Sequence, residues 1–312
     1  MKEYYLTFGG LEQYFMEYEA GNDKPVLLYV HGGPGRAESL IGWEIDGRIG
    51  KDVNLVFYDQ RGAGRTYYKN AGEMPTYEQV YSDLCEIVKY FRQKYKKKIF
   101  IMGHGWGTVP AIRYVRENPD MVAGYIGYAQ CVDYTSVGKV RCDRVLELAR
   151  ACNAKGDIKA VEKLSEKTGG TFHRDMLRKG EITKLNKLLT KYNVAYGTDR
   201  VLMKKIPASP TYMMFDLKIL INCPKINVKL SEYYKHVNLY EESMEYKVPL
   251  MFISGDWDYQ DPYTMVKDYA SKVKAPMVEM KLVEDGTASA MFDKSVEFWA
   301  SVKDYIVKCA NF

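Results

Sequence analysis

Residues 99–107, IFIMGHGWG, decide how the rest of the chain is read. Residues 99–102 are a short apolar run of the kind that forms a strand covered on both faces. Glycines at 103, 105 and 107 then bracket a sharp turn, and from residue 108 to 118 the apolar spacing becomes helical. Strand, G-x-x-x-G turn and helix together predict an elbow, in which a strained turn lifts the central residue above the end of the sheet. Elbows of this kind that carry a nucleophile place a serine at the centre. Here the central residue is Gly105.

Towards the N-terminus, Val26–Val30 and Asn54–Tyr58 are further continuous apolar runs and predict buried strands. The first runs into His31-Gly32-Gly33-Pro34-Gly35 and the second into Asp59-Gln60-Arg61-Gly62-Ala63-Gly64-Arg65-Thr66. Residues 4–8 and 11–19 alternate apolar and polar around Gly9-Gly10, a hairpin pattern. Thr76 and Gln79 stand at capping-box spacing and open a helix expected to run to about residue 95. Beyond the elbow, Val122–Tyr128 is another buried strand. Strands and helices that alternate in this way predict an α/β fold with a doubly wound, mostly parallel sheet. From residue 132 to 245 the pattern is helical and rich in lysine and tyrosine. Strands return at 249–254 and 277–283, and an amphipathic helix follows at about 294–307. The expected architecture is a core of residues 1–131 and 246–312, interrupted after its sixth strand by a helical cap of residues 132–245.

Composition narrows the function classes. The 312 residues suffice to bury a sizeable core, and 46% hydrophobic with 27% charged residues is ordinary for a soluble globular protein. A net charge of +5 is mild, and KYKKK at 94–98 fits the exposed end of a helix better than a nucleic-acid surface. No secretory h-region and no long apolar span stand out, so neither export nor a membrane is expected. Six cysteines lie far apart without a C-x-x-C pair and read as reduced thiols, which points to a cytoplasmic protein without a structural metal.

HGGPG at 31–35, DQRGAGRT at 59–66 and GHGWG at 103–107, in that order and each after a buried strand, resemble the proline iminopeptidase branch of the α/β-hydrolases. The resemblance implies the α/β-hydrolase fold with an inserted cap. It implies hydrolysis of peptide-like amides or esters, and no metal or organic cofactor. An oxyanion hole would fall on the amides of Gly33 and Trp106, and the substrate loop on His31, Gly32, Pro34 and Gly35, with Gln130 beyond the sixth strand. The acid of the catalytic triad falls on Asp258 in Gly255-Asp256-Trp257-Asp258, with Asp256 and Asp261 close by. The nucleophile position is Gly105. The histidine position, set by the flanking Glu284 and Phe292, is Ala288, and no histidine occurs between residues 237 and 312.

Stand-ins for the missing groups are weak. His31 reads as a structural member of its loop, His104 as a shaper of the elbow, and His173 and His236 as cap contacts. Cys131, Thr108 and Ser289 lack a histidine to take a proton. Three readings stay open. One is a protein that binds a small molecule or short peptide in the cleft between core and cap without hydrolysing it. Another is an enzyme of lyase, isomerase or cyclase type that uses the retained pocket. The third is a silenced form of an ordinary hydrolase. Acids that hold a substrate amino group are common in the branch's caps; Asp199, Asp216, Glu232, Glu241, Glu242 and Glu245 are the candidates here. Oligomeric state is not legible.

Overall fold

Each apolar run quoted above becomes a strand, and the strands join in one eight-stranded sheet. The computed structural model describes residues 1–72, 74–172, 176–194 and 204–309. The strands are β1 (Lys2–Phe8), β2 (Leu11–Tyr18), β3 (Val26–Val30), β4 (Asn54–Tyr58), β5 (Ile99–His104), β6 (Val122–Tyr128), β7 (Leu250–Gly255) and β8 (Val278–Val283). Their order across the sheet is β1-β2-β4-β3-β5-β6-β7-β8. β2 pairs antiparallel with β1 and β4; every other pairing is parallel. β3, β4 and β5 are buried at every residue, as all-apolar strands covered on both faces must be.

One face is covered by α3 (Tyr77–Tyr95), α4 (Thr108–Glu117) and α10 (Tyr263–Lys272), the other by α1 (Gly42–Ile49), the short α11 (Ala290–Asp293) and α12 (Ser295–Cys309). α3 opens on the Thr76–Gln79 capping box. α1 is invisible to periodicity because two of its eight residues are glycine, which disfavours helix. It forms because Ile45 and Ile49 bury against the sheet. KYKKK is only partly a solvated end: the Lys94 ammonium pairs with the buried carboxylate of Glu17 at 2.5 Å.

β3 lies between β4 and β5, so the connections leaving β3 and β5 diverge to opposite sides. The gap at their C-terminal ends is where open α/β sheets place ligands. Over that gap sit α5 (Tyr134–Ala151), α6 (Lys155–Thr168), α7 (Lys179–Lys191), α8 (Met214–Ile226) and α9 (Val228–Tyr234). α5, α6 and α7 share an apolar core of their own, with Val145, Val161, Leu164, Leu185 and Leu189 buried. Each such side chain contributes about 1.5–3 kcal/mol.

The DQRGAGRT segment, which runs into α2 (Gly64–Lys69), ties this layer to the sheet. Arg65 reaches Asp216 on α8 at 3.4 Å and Glu3 on β1 at 2.7 Å, and it also bonds the Thr211 carbonyl. Asn227 donates to the Gly62 carbonyl at 2.9 Å, and Tyr77 stacks on Tyr233 with centroids 3.8 Å apart.

Candidate active site

The elbow needs its glycines for two different reasons. A Cβ on Gly107 would lie 2.0 Å from the Val30 carbonyl oxygen, so β3 passes too close for any side chain. Gly105 has room but adopts φ +50°, the strained left-handed conformation of an elbow. The atom nearest a Cβ built there is Asp261 Oδ2, at 3.9 Å. Thr108 locks the turn: its hydroxyl donates to the Gly105 carbonyl at 2.6 Å and accepts the Cys131 amide at 3.1 Å.

Gly105 opens into a cavity of about 680 Å³ between the sheet and the helices over its carboxyl edge. Gly33, Pro34, Trp106, Asp261 and Ala288 line it from the core, and Tyr134, Arg141, Cys142, Leu185 and Tyr234 from the cap. The fold thus gathers the expected nucleophile position, histidine position and oxyanion-hole residues around one space, together with Gly32 and Pro34 of the HGGPG loop.

Three residues expected to touch a ligand face elsewhere. His31 is 1% exposed; its Nδ1–H donates to the Gly32 carbonyl at 2.7 Å and its Nε2 accepts the Gln60 amide at 2.9 Å. Burial lowers its pKa to about 4, so it is a neutral tie between the HGGPG and DQRG loops. Gly35 packs against Asn227 of the cap. Gln130 is fully buried, accepting the Tyr125 hydroxyl at 2.6 Å and donating to the Cys131 carbonyl at 2.8 Å. None of these three residues lines the cavity.

The cap acids also turn away from the cavity. Asp216 is engaged by Arg65, Glu232 by Lys235, Glu241 by Asn238, Glu242 by Arg116 and Glu245 by Lys274. Asp199 and His173 lie outside the described residues. Cys131 is fully buried, and burial drives its thiol pKa far up, away from the thiolate a nucleophile needs.

The acids that matter sit below the cap. Asp258, 1% exposed, uses Oδ1 to accept the amides of Gln260 at 2.9 Å and Asp261 at 3.2 Å, while no protein donor reaches its Oδ2. Asp261, 7% exposed, lines the cavity, and its Oδ1 is likewise without a protein donor. Burial pushes Asp258 up to about 6 and Asp261 up to about 7, the latter further raised by the charge of Asp258. Under the elbow, Glu38 and His104 form a buried pair at 2.8 Å, with His104 stacked on Tyr128. Burial opposes both charges, but each partner outweighs it, raising the pKa of His104 and lowering that of Glu38.

Asp261 stands in the sequence only as a neighbour of the expected acid. No local pattern marks Glu38, whose partner is 66 residues away. Nor does any mark Arg141, which bonds the carbonyls of Tyr259 at 2.5 Å and Gln260 at 2.9 Å, 118 and 119 residues on. Among the described residues, no group of three or more His, Cys, Asp or Glu side chains is placed to hold a metal, and no helix is long and apolar enough to cross a membrane.

Both carboxyls bind protons more tightly in the folded than in the unfolded chain. Their ionisation is therefore cost-free to the fold at low pH and destabilises it as pH rises from about 4 through 6–7. Asp258→Asn removes one such charge. Its change in unfolding free energy should be more favourable at pH 8 than at pH 4, by about 1–3 kcal/mol. Urea unfolding at the two pH values measures this, and an equal change at both would show that Asp258 ionises normally.

The family model described as serine aminopeptidase, S33, matches residues 48–165. The probable aminopeptidase YbaC of Bacillus subtilis (strain 168) is 22% identical over 281 residues, 88% of this chain and 86% of that protein. The proline iminopeptidase of Neisseria gonorrhoeae is 29% identical over 124 residues, 39% of this chain, and the match spans only 38% of its own length. In structure, the proline iminopeptidase-related protein of Thermus thermophilus superposes with a TM-score of 0.61 at 17% identity, covering 98% of each chain. With the eight-stranded sheet, the elbow after β5 and the order of the glycine motifs, these likenesses show the α/β-hydrolase fold in a chain that is similar in sequence to aminopeptidases of the proline iminopeptidase type.

Proposed function

We propose that this chain binds a small peptide-like or ester-like molecule in the cavity between core and cap, and forms no acyl-enzyme with it. One observation carries the reading: the elbow residue facing the cavity is Gly105, which has no nucleophile, and beyond its two chain neighbours the side chain nearest its Cβ position is the carboxylate of Asp261. A serine triad works as a unit, and loss of a member costs several orders of magnitude in rate. Binding does not share that dependence. The apolar walls given by Val137, Leu185 and Leu189 and the polar floor at Gly33 and Trp106 suit a ligand with an aryl or alkyl body and a carbonyl. The aminopeptidase likeness supports the peptide-like class.

The test uses proline 2-naphthylamide and a fluorophosphonate probe. Calorimetry should detect saturable binding of the arylamide, which is recovered intact, and the fluorophosphonate should label nothing. Stoichiometric labelling, or a pre-steady-state burst with 4-nitrophenyl acetate, would overturn the reading, as would absence of arylamide binding.

A further inference from the structure

Two features of the cavity floor have no part in ligand binding as described: the open space over Gly105 and the carboxyl of Asp261 beside it. We propose that Asp261 is the general base of a serine-independent hydrolysis, in which a water held over Gly105 attacks the carbonyl of an activated ester seated in the cavity. The proposal rests on the reading of the cavity as an acyl-ligand site and extends it to a reaction.

A serine side chain at 105 would project into the space that Asp261 Oδ2 borders, since a Cβ there lies 3.9 Å from that oxygen, the nearest atom beyond the neighbouring residues of the turn. With glycine in place, that space admits a water within hydrogen-bonding reach of the carboxylate, the reach a general base requires. Asp261 is more than nine-tenths buried and lines the cavity; Oδ2 is the oxygen that borders the Gly105 space, and Oδ1 behind it has no protein donor. Gly33 and Trp106 border the same space, where their amides would receive the oxyanion.

The step balances with water as co-reactant. The Asp261 carboxylate removes a proton as the water oxygen bonds to the acyl carbon, and the carbonyl π pair moves onto oxygen. Collapse of the tetrahedral intermediate re-forms the carbonyl and breaks the bond to the phenoxide. Asp261 then returns its proton to the phenoxide or to solvent. The products are the carboxylic acid and the phenol, and no covalent enzyme intermediate forms.

The groups facing Asp261 set its readiness. Burial and the charge of Asp258 raise its pKa, while Arg141 from α5, His104 under the elbow and Tyr234 from α9 hold it down. Its upward shift to about 7 leaves a base that is substantially ionised at neutral pH and stronger than an ordinary carboxylate.

The experiment is hydrolysis of 4-nitrophenyl acetate by the intact chain, by Asp261→Asn and by Gly105→Ala, from pH 5 to 9. The chain as it stands should hydrolyse without a burst, with kcat/KM rising through about pH 7 to a plateau, because the ionised carboxyl is the active form. Asp261→Asn should lose on the order of 10²-fold in kcat at pH 8, with KM little changed and no rise near pH 7. Gly105→Ala puts a methyl group where the water would sit, and should lower kcat while the base is still present. Hydrolysis by Asp261→Asn at the unsubstituted rate, or a chain no faster than Asp261→Asn at any pH, would overturn the proposal. If calorimetry still shows arylamide binding in that event, the binding function stands and only the base assignment falls. Loss of arylamide binding with the Asp261 effect intact would do the reverse.

Discussion

Replacing Gly105 by Ser and Ala288 by His together should create a covalent hydrolase, labelled by a fluorophosphonate. Turnover of 4-nitrophenyl acetate should be on the order of 10³-fold above that of either single variant. The backbone at 105 already holds φ +50°, and beyond the neighbouring residues of the turn its Cβ position clears the nearest atom by 3.9 Å, so the serine meets strain but no clash with the rest of the fold. Asp258 Oδ2, buried and without a protein donor, is the expected acceptor for the N–H of an imidazole introduced at position 288, which lines the same cavity as Gly105. The large ratio follows from cooperation: a serine without the histidine that also protonates the leaving group, or a histidine without its nucleophile, gains little. The labelling stoichiometry of the double variant checks this. An unlabelled double variant would show that the loops holding 105 and 288 stand out of register for proton transfer.

The second large effect is on stability. Arg61→Leu should destabilise the protein by about 3–5 kcal/mol, because it leaves a buried carboxylate without its cation. Arg61 bonds Asp83 through Nε and Nη2, both at 2.9 Å, and the Gly9 carbonyl at 2.9 Å; the two side chains are 4% and 2% exposed. Burial raises the pKa of Asp83 and Arg61 opposes it, so without the guanidinium the acid takes up a proton or carries its charge unpaired. Arg61→Leu/Asp83→Leu should recover most of the loss, since a buried pair replaced by apolar groups is often near neutral. Urea midpoints at constant m-value measure both. A loss below about 1 kcal/mol in Arg61→Leu would mean that the pair is hydrated and weak. Arg61 and Arg65 thus make DQRGAGRT a brace between the hairpin, α3 and α8.

What the sequence determined by itself was everything governed by neighbours along the chain. Apolar runs at 26–30, 54–58 and 122–128 became strands with those bounds, and Thr76 with Gln79 capped a helix. The glycines at 103–107 made an elbow after β5, and the sixth strand led into helices over the sheet's carboxyl edge. Periodicity, caps and tight turns are local physics, set within a few residues. Which acid faces the cavity is not. Asp258 and Asp261 stand three apart in one turn, and only the packing of α5 and α9 over that turn buries Asp258 behind it and leaves Asp261 beside Gly105. His31 and Gln130, polar residues at strand ends, look like ligand groups in the sequence. Gln60 and Tyr125 claim them in the fold, because a buried polar atom takes whatever partner the tertiary structure brings within reach. The same holds for Glu38 with His104 and for Arg65 with Asp216, pairs 66 and 151 residues apart whose geometry exists only once the sheet has closed and the cap has docked.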